Sequence, residues 1–408
     1  MVASRIALVA VGTSIAFIVA RDGSPAWQVA RLVATAAMTG VVFLLLGRGV
    51  RGQRSGVAFA TGCAAVSIGV GIAIPHLAKT GIQPMTVAGL VTLAGGLVLL
   101  GTGGVELVRV TRKWLRILVI PALLVTALLV AASLGQAVAA TNVPPTALGS
   151  ELPSERGLSY GNVTFQTGDG VALSGWYVPS TNRAAVVLLH GAGSTRSSVL
   201  DHAVVLARHG YGVLLFDARG HGRSGGRAMD FGWYGDQDVA AAVSFLSTRP
   251  DVDKGRIAAV GLSMGGEDAI GAAATEPRIR AVVAEGATNR VTGDRAWLAG
   301  EYGWRGTIQE GLEWLTYACA DLLTAADQPI VLRNAVAATA PHPVLLIAGG
   351  AKADEALAGR YIQSGSPGTV HLWVAPNSGH TAALRTLPQQ WEERVTAFLT
   401  TALGLAPG

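Results

Sequence analysis

Five apolar stretches occupy the start of this 408-residue chain, at about residues 6–20, 26–47, 57–74, 85–108 and 117–140. Most approach the roughly 20 residues that a helix needs to cross a bilayer. The first is short and on its own has the length of a secretory signal's apolar core, but four further spans behind it favour a first transmembrane helix. Residues 1–140 are therefore expected to form an all-α transmembrane domain of about five helices. Arg31 lies near one end of the second stretch, where a long side chain can reach the interface. Pro121, near the start of the fifth, is tolerable in a membrane helix. Gly95, Gly96, Gly101, Gly103 and Gly104 read as helix packing rather than as a phosphate loop.

The charge is divided as unevenly as the hydropathy. Residues 1–150 carry 11 Lys and Arg against only Asp22 and Glu106, while residues 151–408 carry 20 against 24. The basic excess thus belongs to the apolar half. That argues against a nucleic-acid partner, which calls for a solvated basic patch, and for charges that orient membrane segments beside a lipid bilayer. Arg48, Arg51 and Arg54 follow the second stretch, and Arg109, Arg112, Lys113 and Arg116 precede the fifth, so both loops are expected in the cytoplasm. The turn holding Arg21 and Asp22 and the loop with His76 and Lys79 then face outward. Five spans deliver the rest of the chain to the extracytoplasmic side of the cell membrane; an even number would leave it in the cytoplasm.

Residues 141–159, with Pro144, Pro145 and Pro153, read as a linker. From Tyr160 the pattern changes to short β-rich runs at 160–166, 171–178, 184–189, 212–216, 256–260, 279–284, 343–348 and 370–374. Gly168-Asp169-Gly170 between the first two is a hairpin signal. Helical segments lie around 197–209, 236–247, 264–275 and 388–402. The alternation implies an α/β fold with a mostly parallel central sheet and an antiparallel hairpin at one edge. Cys63 and Cys319 fall in different halves, so no disulfide can form within the second half.

In such sheets the site gathers at the carboxyl ends of the strands. The run 256–260 leads into Gly261-Leu262-Ser263-Met264-Gly265-Gly266, where small residues permit a sharp strand-to-helix bend with the Ser263 hydroxyl at the head of a helix. There the Met264 amide can meet a developing oxyanion. His190-Gly191-Ala192-Gly193 ends the third run, and its glycines let the backbone approach a substrate oxygen, with Ala192 as the second amide donor. His190 itself reads as a brace for the loop, and Asp217 to Ser224 as an ion-paired scaffold. A serine needs a base, and His380 is best placed, in the loop after the last run. The orienting carboxylate is sought after 343–348, where Asp354 is preferred for its shorter side chain and Glu355 stays open as the alternative.

These motifs make residues 160–402 resemble an α/β-hydrolase domain, about three-fifths of the chain. The resemblance is nearest to bacterial serine aminopeptidase-like and esterase-like hydrolases, in which Asp217 to Ser224 matches an Asp-x-Arg-Gly-x-Gly-x-Ser loop. It implies the fold strongly and the substrate weakly. The serine departs from the cysteine of the dienelactone hydrolase pattern. Residues 288–341 resemble a small cap, whose Trp297, Tyr302, Trp304, Trp314 and Tyr317 either line an acyl or aryl pocket or pack the cap's own core. The chain is thus expected to be a membrane-tethered serine hydrolase that cleaves small-molecule carboxylic esters through an acyl-Ser263 intermediate. A peptidase or amidase with the same triad is the alternative, and a non-catalytic membrane binding module the third reading. Nothing in the sequence calls for a metal or organic cofactor, and the oligomeric state is left open.

Overall fold

The computed structural model describes residues 2–21 and 24–406. Asp22, used in the charge reading, lies outside them. Two compact units emerge: Met1–Pro144 with Gly311–Ala325, and Pro145–Glu310 with Ala326–Gly408.

The first unit holds α1 (Val2–Val19), α2 (Pro25–Arg48), α3 (Arg51–Thr80), α4 (Pro84–Val110) and α5 (Arg116–Thr141). All five are long and apolar enough to cross a membrane. Each extends beyond the apolar stretch read from sequence at one end or both, because the flanking polar residues continue the helix. Small residues let α3 and α4 touch backbone to backbone. A Cβ at Gly96 would lie 2.7 Å from the Val66 amide nitrogen, and one at Gly103 2.4 Å from that of Phe59. Gly95 fits equally tightly against Val11 and Ala7 of α1, whereas Gly101 has open space. Ala7, Leu8, Val11, Leu46, Ala58, Ala65 and Leu99 form the bundle's main apolar cluster.

The second unit is built on eight strands: β1 (Gly161–Gln166), β2 (Ala172–Val178), β3 (Ala185–Leu189), β4 (Gly212–Phe216), β5 (Ile257–Leu262), β6 (Ile279–Glu285), β7 (Val344–Gly349) and β8 (Val370–Ala375). They form one sheet in the order β1-β2-β4-β3-β5-β6-β7-β8. β1 and β2 run antiparallel to their neighbours, and the rest are parallel. β3, β4, β5 and β7 are buried along their whole length, as strands covered on both faces must be.

One face is covered by α7 (Gly235–Leu246), α8 (Met264–Ala273), α11 (Leu332–Thr339) and α12 (Ala353–Gln363) through Val239, Ile270, Val336 and Ile362. The other is covered by α6 (Leu200–Arg208) and α14 (Pro388–Ala402), with the short α13 (Ala383–Thr386) leading in, through Leu200, Trp391 and Leu399. Between β6 and β7 runs an insert with α9 (Leu298–Tyr302), α10 (Trp304–Leu323) and α11.

Two expectations about boundaries change. Residues 145–159 are not a free tether: Leu148 and Leu158 pack on the sheet's second core, and Thr146 bridges to His221. The insert at 288–341 is not a self-contained cap either, because Gly311–Ala325 belongs to the first unit.

Candidate active site

β5 ends at Leu262 and α8 starts at Met264, so Ser263 alone makes the turn. Its backbone adopts φ 53° and ψ −122°, a conformation that L-residues rarely take up. The turn closes because its neighbours lack side chains. A Cβ at Gly261 would fall 2.1 Å from the Gly265 carbonyl oxygen, and one at Gly265 would fall 2.6 Å from that of His190. The Ser263 carbonyl accepts the Gly266 and Glu267 amides, which begins α8, and its amide is tied to the Glu285 carbonyl at 2.7 Å. The elbow is thus held to both β6 and its own helix.

His380 stands over this turn. Its Nε2 lies 2.9 Å from Ser263 Oγ and its Nδ1 2.7 Å from Glu355 Oε1. The second Glu355 oxygen accepts the Gly349 amide at 2.8 Å, so the end of β7 fixes the carboxylate. The hydrogen bond to Glu355 holds the imidazole above its ordinary value, against an opposing push from burial. Burial pushes the Glu355 carboxyl upward, but the His380 and Gly349 hydrogen bonds outweigh it and leave the group below its ordinary range. Nδ1–H donating to the carboxylate leaves Nε2 free to take the serine proton.

Asp354, the acid preferred from sequence, is not brought to His380. It sits on the first turn of α12 and accepts the Tyr302 hydroxyl at 2.6 Å. Successive side chains on a helix point about 100° apart, and that rotation carries Glu355 inward. A short side chain directly above the strand end was the premise of the sequence choice. The residues stand instead on a helix beyond β7, from which the longer glutamate reaches His380.

The two oxyanion donors named from sequence are adjacent to the serine. Met264 is the first residue of α8, where the helix N-terminus adds partial positive charge. The loop after β3 lies against the elbow, since a Cβ at Gly191 would be 3.3 Å from Ser263 Cβ. Among the described residues neither the Met264 nor the Ala192 amide has a hydrogen-bond partner. Ser263, His380 and Ala192 open onto a cleft of about 690 Å³ bounded by Gly191, Val205, Leu262, Leu384 and Pro388.

The supporting loops are rigidly tied. His190 Nε2 accepts the Ala218 amide at 3.0 Å while Nδ1 faces the Gly191 carbonyl at 2.8 Å. Burial, with the neighbouring His221, pushes this imidazole down to about 3, so it is a neutral brace. Asp217 accepts the Arg196 and Arg223 amides, and Arg219 pairs with Asp238 and Asp169.

Sequence reasoning missed three supports. The Glu285 carboxylate, at the end of β6, accepts the Ala383 amide and the Trp391 indole N–H and so anchors the chain just after His380. Glu267, one turn after Ser263, accepts the Thr288 and Asn289 amides. Gly286, at φ 72°, lets the backbone pass the imidazole, since a Cβ there would lie 2.9 Å from His380 Cε1. A carboxylate at a strand's carboxyl end was the available signal for Glu285; the other two depend on tertiary contacts. Among the described residues no group of three or more His, Cys, Asp or Glu is arranged to hold a metal ion.

Comparison with known proteins extends the picture. The family model described as "Serine aminopeptidase, S33" matches residues 180–324. An uncharacterized protein of Mycobacterium tuberculosis is 39% identical over 137 residues, 33% of this chain and 46% of that protein. The thiohydrolase aneE of Aspergillus aculeatus is 36% identical over 129 residues, 31% of this chain and 41% of that one. The chain spans less than half the length of these curated relatives. Among solved structures, the Pyrococcus furiosus esterase Pf2001 is 28% identical with a TM-score of 0.50, covering 63% of this chain and 97% of its own. Agreement over nearly all of that esterase, joined to the strand order described above, makes the chain a member of the α/β-hydrolase superfamily.

Proposed function

We propose that the protein is a membrane-anchored serine hydrolase that cleaves carboxylic esters through an acyl-Ser263 intermediate. The observation that carries this reading is the unbroken line from Ser263 Oγ through His380 to Glu355, at 2.9 and 2.7 Å. Ser263 Oγ attacks the ester carbonyl carbon as its proton passes to His380 Nε2, and Glu355 stabilises the imidazolium. The carbonyl oxygen gains negative charge between the Met264 and Ala192 amides, where fixed donors act without reorganising. Collapse expels the alcohol, which takes the proton from His380. Water, deprotonated by the same imidazole, then releases the acid and restores Ser263.

Membrane anchoring is supported by the outer faces of α2 and α5. Val33, Val41, Ile117, Leu118, Leu124 and Leu128 are exposed, an apolar area that water does not tolerate but lipid does. With five spans and the basic residues at the shared ends of α2/α3 and α4/α5, the hydrolase unit lies on the extracytoplasmic side.

A fluorophosphonate probe tests the chemistry. Wild type should be labelled and Ser263→Ala should not, with hydrolysis of p-nitrophenyl acyl esters lost in parallel. Equal labelling of the variant would remove the serine assignment. Acyl thioesters and aminoacyl anilides in the same panel rank the alternatives, and a folded protein active on none of them would be a binding module instead.

A further inference from the structure

The insert between β6 and β7 contains a helix whose outward face is wrong for water. Trp304, Ile308, Gly311, Leu315, Ala318 and Leu322 recur at the spacing of one helical stripe along α10, with no charged or polar side chain among them. Trp304, Ile308 and Leu322 are 70%, 54% and 84% exposed. Trp314, flanking the stripe, is exposed as well, while Thr316, Tyr317 and Ala320 on the opposite side are buried. The aromatics of this insert therefore neither line the cleft beside Ser263 nor, for Trp304 and Trp314, pack a core.

The carboxyl end of α10 is seated among the apolar helices. Leu323 packs with Ile18, Ile72, Ala88 and Val138. Arg31 donates to the Leu323 carbonyl at 3.4 Å, so a cation inside α2 meets the negative end of α10. Ile18 adjoins the end of α1, Ala88 lies one turn inside α4, Val138 lies one turn before the end of α5, and Ile72 lies about two turns before the end of α3. One to two helical turns are about 5–10 Å, the depth at which interfacial helices rest.

We propose that α10 is an interfacial helix whose Trp304–Leu322 stripe lies in the outer headgroup layer of the bilayer crossed by α1–α5. This rests on the membrane-anchored reading and not on the ester chemistry. The stripe is as apolar and exposed as the outer faces of α2 and α5, and tryptophan favours the level at which an apolar ring meets water.

The test uses the full chain in phosphatidylcholine vesicles, with Cys63→Ala and Cys319→Ala as background and an NBD fluorophore on Leu322→Cys or, as a second position, Ile308→Cys. Leu128→Cys in mid-α5 reports whether the spans are in lipid. Doxyl lipids labelled near the headgroup should quench the α10 probes about twofold or more, and more than lipids labelled at mid-chain, with the reverse order at Leu128. Water-like, unquenched emission at both α10 positions with quenching at Leu128 would overturn the proposal alone. Blue-shifted but unquenched emission would overturn it in favour of a second copy of the chain covering the stripe. Loss of quenching at Leu128 too would overturn the membrane reading and the proposal with it.

Discussion

Asp354 and Glu355 are neighbours with opposite surroundings, one at an exposed tyrosine hydroxyl and the other buried against the imidazole. Glu355→Gln keeps the shape but presents an amide where the imidazole needs an acceptor for Nδ1–H. We expect kcat to fall by about 10³–10⁴-fold, whereas Asp354→Asn should stay near wild type; the opposite ranking would reinstate Asp354. His380 must be neutral to accept the serine proton, and Glu355 raises its pKa, so kcat/KM should climb with pH through a value above about 6.5. Any residual activity of Glu355→Gln should titrate lower. Glu267 makes a separate prediction, for stability. Burial drives its carboxyl up to about 7, against the Thr288 and Asn289 amides. A raised acid favours the folded state below its unfolded pKa, and that contribution disappears as pH rises through the folded value. The loss amounts to about 3 kcal/mol as pH rises from ~4.5 through ~7. Glu267→Gln retains an acceptor, so its melting temperature in detergent should change less across that window; identical slopes would remove Glu267 as the cause.

The elbow works as one element because three stretches of backbone close on it. Gly261→Ala would drive a Cβ into the Gly265 carbonyl, 2.1 Å away with only main chain to yield. We expect at least about 1–3 kcal/mol of destabilisation, seen as a lower melting temperature, and loss of probe labelling at Ser263. An unchanged melt would mean that the turn relaxes without cost. Elements of this kind were legible in the sequence for a physical reason. Most strands after the edge strand β1 are short apolar β-rich runs with Gly, Pro or Asp within two residues of their end, and β5 passes directly into the serine turn, so pattern and position coincide. α12 was not legible: Gly349-Gly350-Ala351-Lys352 reads as loop, and helix formation begins only at Ala353. That boundary decided which carboxylate faces His380, since a one-residue difference at a helix start rotates every side chain behind it. The stripe on α10 was equally hidden. Its tryptophans look like core or pocket residues until the buried face of the helix is known.

At the scale of the whole chain, the apolar half and the α/β half were separable from composition alone, because lipid and water select different residues along continuous stretches. The return of Gly311–Ala325 to the first unit was not, since it involves long-range contacts, among them Arg31 to Leu323 and the packing of Leu323 with Ile18, Ile72, Ala88 and Val138, that no local window contains. Orientation is the remaining consequence of the charge asymmetry. Arg48, Arg51 and Arg54 gather where α2 meets α3, and Arg109, Arg112, Lys113 and Arg116 where α4 meets α5, whereas Lys79, in the last turn of α3, is the only Lys or Arg near the α3/α4 turn. Basic residues resist translocation, so the proposed reading of five alternating spans predicts that Pro145 and the hydrolase unit after it lie outside. Alkaline phosphatase fused to the full chain after residue 408 in a bacterial host should be active, since it needs an oxidising compartment, and green fluorescent protein at the same position should be dark. Replacing Arg109, Arg112, Lys113 and Arg116 with glutamine should reduce the phosphatase signal by freeing the α4/α5 loop to cross. A fluorescent fusion with inactive phosphatase would place the hydrolase unit in the cytoplasm, and would mean that one of the five apolar helices, α1 first among them because it is the shortest, does not span.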